Sequence, residues 1–138
     1  MSRPDPADTP IVFCSDRTFI PYAAVATLSL IETNDFPVLV YWIVRPEDED
    51  LARDFRGRMP AGSHRIEILT VDDSPFSGWG EHFHVSRGAY IRLLIPDLLP
   101  HRRALYLDGD VLALSGIRTL LESDLGGCPI GAVVNQRA

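Results

Sequence analysis

Ile11-Val12-Phe13-Cys14 is a run of apolar positions without alternation, entered from Pro10 and closed by Ser15-Asp16-Arg17. So short an uninterrupted run of β-branched and aromatic residues predicts a strand covered on both faces. Over 21–34 the apolar residues Ala24, Leu28 and Ile31 recur at spacings of three and four, Pro21 suits a first turn and Asn34-Asp35 is a stop, which predicts a helix. Positions 38–44 are again apolar throughout and predict a second buried strand. The acids of Pro46-Glu47-Asp48-Glu49-Asp50 fill a first helical turn, where the helix dipole favours them, and Leu51, Asp54, Phe55 and Arg58 carry that helix to Met59-Pro60. A third strand is predicted over 66–71, a loop over 72–80, a helix over 85–94 ahead of Pro96, and further strands over 104–107 and 130–134.

Strands alternating with helices in this order imply parallel pairing through right-handed crossovers, hence an α/β sheet with helices on its faces. A chain of 138 residues suits one domain and buries roughly two-thirds of its unfolded surface. With 46% apolar and 23% charged residues it has the composition of an ordinary globular domain. The net charge of −6, with arginines scattered along the chain, argues against nucleic acid as a partner. An anionic nucleotide would need local devices to hold it, such as a cation, an arginine or backbone N–H groups. Cys14 and Cys128 are too few and too far apart for a disulfide framework or a zinc site. The first ten residues, with Arg3, Asp5 and Asp8, lack the apolar stretch of a secretory signal, and no run reaches membrane-spanning length, so a cytoplasmic location is expected.

The strongest candidate chemistry is Asp108-Gly109-Asp110, which ends the predicted strand 104–107. Open α/β sheets bind ligands at the carboxyl ends of their strands. Two carboxylates one residue apart suit a hard divalent cation that also takes phosphate oxygens, and Gly109 allows close approach. Asp-Gly between apolar runs is equally the signature of a two-residue hairpin turn. Asp16, by residue type, serves equally as a ligand contact or as a turn or helix-cap residue. Arg92 on an amphipathic helix reads as a solvated side chain or as a phosphate or carboxylate partner. His82 and His84 flank Phe83 as a pair of metal ligands can, but two histidines do not close a site, and they read as structural or solvated. An aspartate-nucleophile phosphohydrolase also places Asp-x-Asp after a strand, but it needs a downstream Lys, and this chain contains none.

Ile11-Val12-Phe13-Cys14-Ser15-Asp16, then Ser86-Arg87-Gly88-Ala89-Tyr90-Ile91-Arg92-Leu93, then Leu105-Tyr106-Leu107-Asp108-Gly109-Asp110-Val111 resemble, in order and spacing, successive signatures of the family-8 glycosyltransferases. The resemblance runs from about Ile11 to the end of the chain. It implies a GT-A, Rossmann-like nucleotide-diphospho-sugar transferase fold, a mostly parallel sheet with flanking helices. It also implies transfer of a hexose from a UDP-sugar, with retention of configuration, to a saccharide, lipid-linked saccharide or protein acceptor. Asp108 and Asp110 would ligate Mn²⁺ or Mg²⁺. Asp16 would meet the uracil and Phe19 stand where the family often stacks a Tyr. Thr18, which departs from the family's usual Asn, would join Asp108 among the donor-binding residues. Arg92 would orient the acidic pair or meet the diphosphate, and Gly109 would line the donor. No catalytic nucleophile is assigned.

The same resemblance divides the chain into a tail, 1–9, and the nucleotide-sugar-binding part, 10–138. The family's acceptor part, and the C-terminal His that completes its metal shell, would follow; no His follows His101 here. The chain is therefore expected to be a truncated product or isolated donor-binding half, with an apolar sheet face left open. The family's place in surface polysaccharide assembly implies peripheral association with the inner face of the membrane. A binding module without turnover is the alternative.

Overall fold

The computed structural model describes residues 6–79 and 87–134. Among these residues the core is a four-stranded, all-parallel sheet in the order β3-β2-β1-β4, formed by β1 (Ile11–Cys14), β2 (Leu39–Val44), β3 (Arg65–Thr70) and β4 (Leu105–Tyr106). The chain steps outward from β1 to β3 and then returns to add β4 on the other side of β1. The order reverses at β1, which is where open α/β sheets form their ligand crevice. The expected α/β fold is present, and its sheet is parallel throughout.

Alternate residues of the central strands supply two cores, as a strand covered on both faces requires. Ile11, Phe13, Val40, Trp42 and Val44 pack on one face with α1 (Ile20–Thr33) and α2 (Glu49–Gly57). Val12 and Ile43 pack on the other with Val71, Ile91 and Leu99. Ala23, Ala24 and Ala26 let α1 lie close to the sheet, and Trp42 Nε1 donates to Thr27 Oγ1 at 2.9 Å, so the largest core side chain keeps its N–H satisfied.

Past the acidic pair, the chain runs along the C-terminal part of α1. Ala113 N donates to Ser29 Oγ at 2.9 Å, and Ile117 N to Asn34 Oδ1 at 2.8 Å, just before α5 (Arg118–Leu121). Ala113 and Ile117 face the core, while Leu112 and Leu114 are exposed.

Several elements differ from expectation. The predicted helix 85–94 is, in its described part, a turn of α-helix (α3, Arg87–Tyr90), a tighter 3₁₀ turn (Ile91–Leu94) and a second α-turn (α4, Ile95–Leu98). Pro96 begins a new turn rather than ending the old one, because its missing N–H and fixed φ suit a first turn. The acidic run from Pro46 begins as a 3₁₀ turn (Pro46–Asp48) before α2. No strand forms over 130–134: Ile130, Val133 and Val134 are exposed, and β propensity without a partner ladder leaves an extended segment. The expected open apolar sheet face is absent from β1 and β2, whose two sides are covered. His82, His84 and the start of the predicted helix, Val85 and Ser86, lie outside the described residues.

Candidate functional site

The loop after β4 carries Asp108, Gly109 and Asp110, and the loop after β1 carries Asp16, Thr18 and Phe19. Parallel pairing of β1 with β4, Ile11 opposite Leu105 and Val12 opposite Tyr106, places both loops at the same sheet edge. They touch at Gly109. A Cβ built there would lie 3.6 Å from Phe19 O and from Ser15 Oγ, and 3.7 Å from Ala23 N, the first turn of α1. Gly109 is not among the described glycines with positive φ, Gly126 and Gly127, and β4 pairs in parallel with β1, so the hairpin reading of Asp108-Gly109 is overturned. Beneath Gly109, Ser15 is buried, 3% exposed, and its hydroxyl finds no hydrogen-bond partner among the described residues. A buried polar atom left unsatisfied costs free energy, so its position at the ligand edge of the sheet is informative.

Asp108 is held from two sides. The Tyr106 hydroxyl donates to its Oδ1 at 2.7 Å, and Arg92 Nη1 stands 3.7 Å from the same oxygen. Arg92 also lies over the Tyr106 ring, 5.0 Å from its centroid, and donates from Nε to Ala89 O at 2.6 Å. Burial, then the hydrogen bond to Asp108, pushes the Tyr106 phenol above its usual range, against the opposing pull of Arg92. Cys14, at the end of β1, is pushed up to about 12 by burial, with Arg92 lowering and Asp108 raising it. These effects tie the ends of β1 and β4 and Arg92 into one electrostatic neighbourhood. Asp110, two residues on, is exposed.

Asp16 acts as the cap of the turn into α1. Its Oδ1 accepts from Thr18 N at 2.9 Å and Phe19 N at 3.2 Å, and its carbonyl accepts from Phe19 N and Ile20 N. Thr18 enters through its backbone. Phe19 is 42% exposed and leans on Tyr22, with ring centroids 5.7 Å apart. Asp16, Thr18, Phe19, Arg92, Asp108, Gly109 and Asp110 thus all stand at the carboxyl edge of the sheet, on the loops of β1 and β4 and the helical turn beside them.

Oxygen-only donors on exposed carboxylates fit a hard divalent cation. Among the described residues no group of three His, Cys, Asp or Glu side chains gathers, so the protein's share of such a shell would be Asp108 and Asp110. Sequence reasoning missed Tyr106 as a partner of Asp108, although their spacing of two puts both side chains on one face of an extended strand end. It also missed the buried Ser15 hydroxyl, which no sequence signal marks.

These features define a parallel α/β domain with a ligand crevice at its switch point. The Glycosyl transferase family 8 profile matches residues 10–138, and the chain belongs to that family. General stress protein A of Bacillus subtilis (strain 168) is 29% identical over 132 residues, 89% of this chain and 45% of that protein. The galactosyltransferase LgtC, solved in complex with donor and acceptor sugar analogs, superposes with a TM-score of 0.77 at 26% identity, over 86% of this chain and 44% of LgtC. The glycosyltransferase GlyE of Streptococcus pneumoniae TIGR4 shares the fold, with a TM-score of 0.64 at 23% identity, over 86% of this chain and 28% of GlyE. The fold is therefore GT-A. The chain spans less than half the length of these relatives. Among the described residues no helix is long and apolar enough to cross a membrane.

Proposed function

We propose that residues 10–138 form the donor-binding part of a retaining glycosyltransferase that moves a hexose from a UDP-sugar to a saccharide, lipid-linked saccharide or protein acceptor. The observation that carries this reading is the contact of the Asp108-Gly109-Asp110 loop with the β1–α1 turn at the switch point. Family membership and the likeness to LgtC, a transferase solved with donor and acceptor analogs, support it.

In this reading Asp108 and Asp110 hold Mn²⁺ or Mg²⁺ against the diphosphate of the donor, with phosphate and water oxygens completing the shell. When bound, the dication offsets the negative charge that builds on the departing diphosphate, a stabilisation of about several kcal/mol. Arg92, poised between Asp108 and the Tyr106 ring, orients the carboxylate and carries further N–H groups that a phosphate oxygen can accept from. The Asp16 turn offers its carboxylate and the neighbouring backbone to the edge of the uracil, and the exposed Phe19 offers its side chain to the ring. Gly109, lacking a side chain, allows the donor to approach the β4 loop. Whether the protein sits at the inner face of the membrane is part of the same proposal and follows from the acceptor it uses.

Calorimetry of UDP binding with and without Mn²⁺ tests the reading. Binding is expected to require the metal and to be lost in the Asp108→Asn, Asp110→Asn double variant; metal-independent binding that survives the double change removes it. The two-carboxylate metal shell favours a second reading, a nucleotide-sugar-binding module without turnover. Release of free hexose or transfer product from UDP-hexose separates the two.

A further inference from the structure

Asp48 has no part in the function proposed above, yet its carboxylate is buried at the carboxyl end of β2, 1% exposed. It holds two arginines from two loops. Arg45 Nε and Nη2 donate to Oδ2 at 3.2 and 3.0 Å, and Arg17 Nε, from the β1–α1 turn, pairs with Oδ1 at 3.4 Å. A buried ion pair is poor evidence for stability, because well-packed apolar residues in its place are often as stable or more so. What it supplies is geometry. The geometry fixed here is that of Arg17, next in sequence to Asp16, anchored through Nε and still 64% exposed along its side chain.

Asp48 follows β2 and Asp108 follows β4, and these strands flank β1 on opposite sides. At a strand spacing of about 4.8 Å the two loops stand about 10 Å apart. A nucleotide with its diphosphate at Asp108 and Asp110 would therefore carry its base, rather than its phosphates, toward Arg17. The guanidinium is a donor-only planar fork and matches ring carbonyl oxygens. Uracil presents two such oxygens, whereas cytosine replaces one of them with an amino group, itself a donor.

We propose that Arg17, positioned by Asp48, is a specificity-determining contact that donates to the ring carbonyl oxygen of uracil which cytosine replaces with an amino group, and so disfavours cytosine; this rests on the donor-site reading above. The test is calorimetry of UDP and of CDP, each with saturating Mn²⁺, on the wild type, Arg17→Ala, Asp48→Asn and the double variant. Loss of one charge-assisted hydrogen bond should weaken UDP binding about tenfold in Arg17→Ala, leave CDP within about twofold, and so collapse the preference for UDP. Asp48→Asn should lower the same ratio when Arg17 is present and change nothing further when it is absent, a coupling that a purely structural role would not produce. Should Asp48→Asn fail to fold, Arg17→Ala, an exposed change, decides alone. An unchanged UDP-to-CDP ratio in Arg17→Ala overturns the inference and leaves the donor site standing. A wild type that binds neither nucleotide overturns both.

Discussion

Tyr106 donates its hydroxyl proton to Asp108 Oδ1 at 2.7 Å while its ring supports the guanidinium of Arg92, so one tyrosine sets both the acid and the base of the candidate metal edge. Tyr106→Phe keeps the ring under Arg92 and removes only the donor. Mn²⁺-dependent UDP affinity should fall about 3- to 10-fold, the worth of one hydrogen bond to a charged group. Calorimetry reads it, and equal or tighter binding would show that the hydroxyl does not orient Asp108.

Cys14 gives a pH prediction. Its thiol is held neutral in the fold, raised from an ordinary 9.0 to about 12, chiefly by burial. Between those values the unfolded chain has released the proton and the folded chain has not, so the unfolded state binds fewer protons and stability falls as pH rises. This contribution is fully present below about pH 9 and lost through about pH 12. Tyr106, also raised, acts in the same direction above its ordinary 10.0. Urea midpoints measured across the alkaline range should decline less steeply for Cys14→Ala than for the wild type; parallel slopes would contradict the assignment.

Ser29 fastens the segment that follows the acidic pair. Its hydroxyl donates to Ala26 O at 2.7 Å and accepts from Ala113 N at 2.9 Å. Ser29→Ala leaves that N–H without its partner, at a cost of about 1–3 kcal/mol. Thermal unfolding should show the loss. Because Ala113 lies three residues past Asp110, the same variant should weaken metal-dependent nucleotide binding, whereas a stability loss with unaltered binding would mean that the segment does not hold the pair in place.

The elements that sequence made legible are those with a continuous physical signature. β1 and β2 are apolar without a break because both faces are covered, and α1 is apolar at helical spacing with Pro21 at its start. Their bounds fall within a residue or two of expectation. What was not legible depends on partners far away in the chain. Asp48 stands in a run of acids that reads as a helix start, and its burial and its second partner, Arg17, thirty-one positions earlier, show only in the fold. The strand expected over 130–134 has the right residues but no ladder beside it among the described residues. Asp16 was open between a ligand contact and a turn cap; its Oδ1 caps the turn, and any contact with a base would use what that role leaves.

The central claim, that Asp108 and Asp110 share a dication with a nucleotide's diphosphate, is tested most directly by the electron paramagnetic resonance signal of free Mn²⁺. Titrating the protein into Mn²⁺ and UDP should quench that signal well beyond what UDP alone does, and the Asp108→Asn, Asp110→Asn protein, folded by circular dichroism, should leave it at the level of UDP alone. Equal quenching by the double variant and the wild type would place the ion elsewhere and contradict the account.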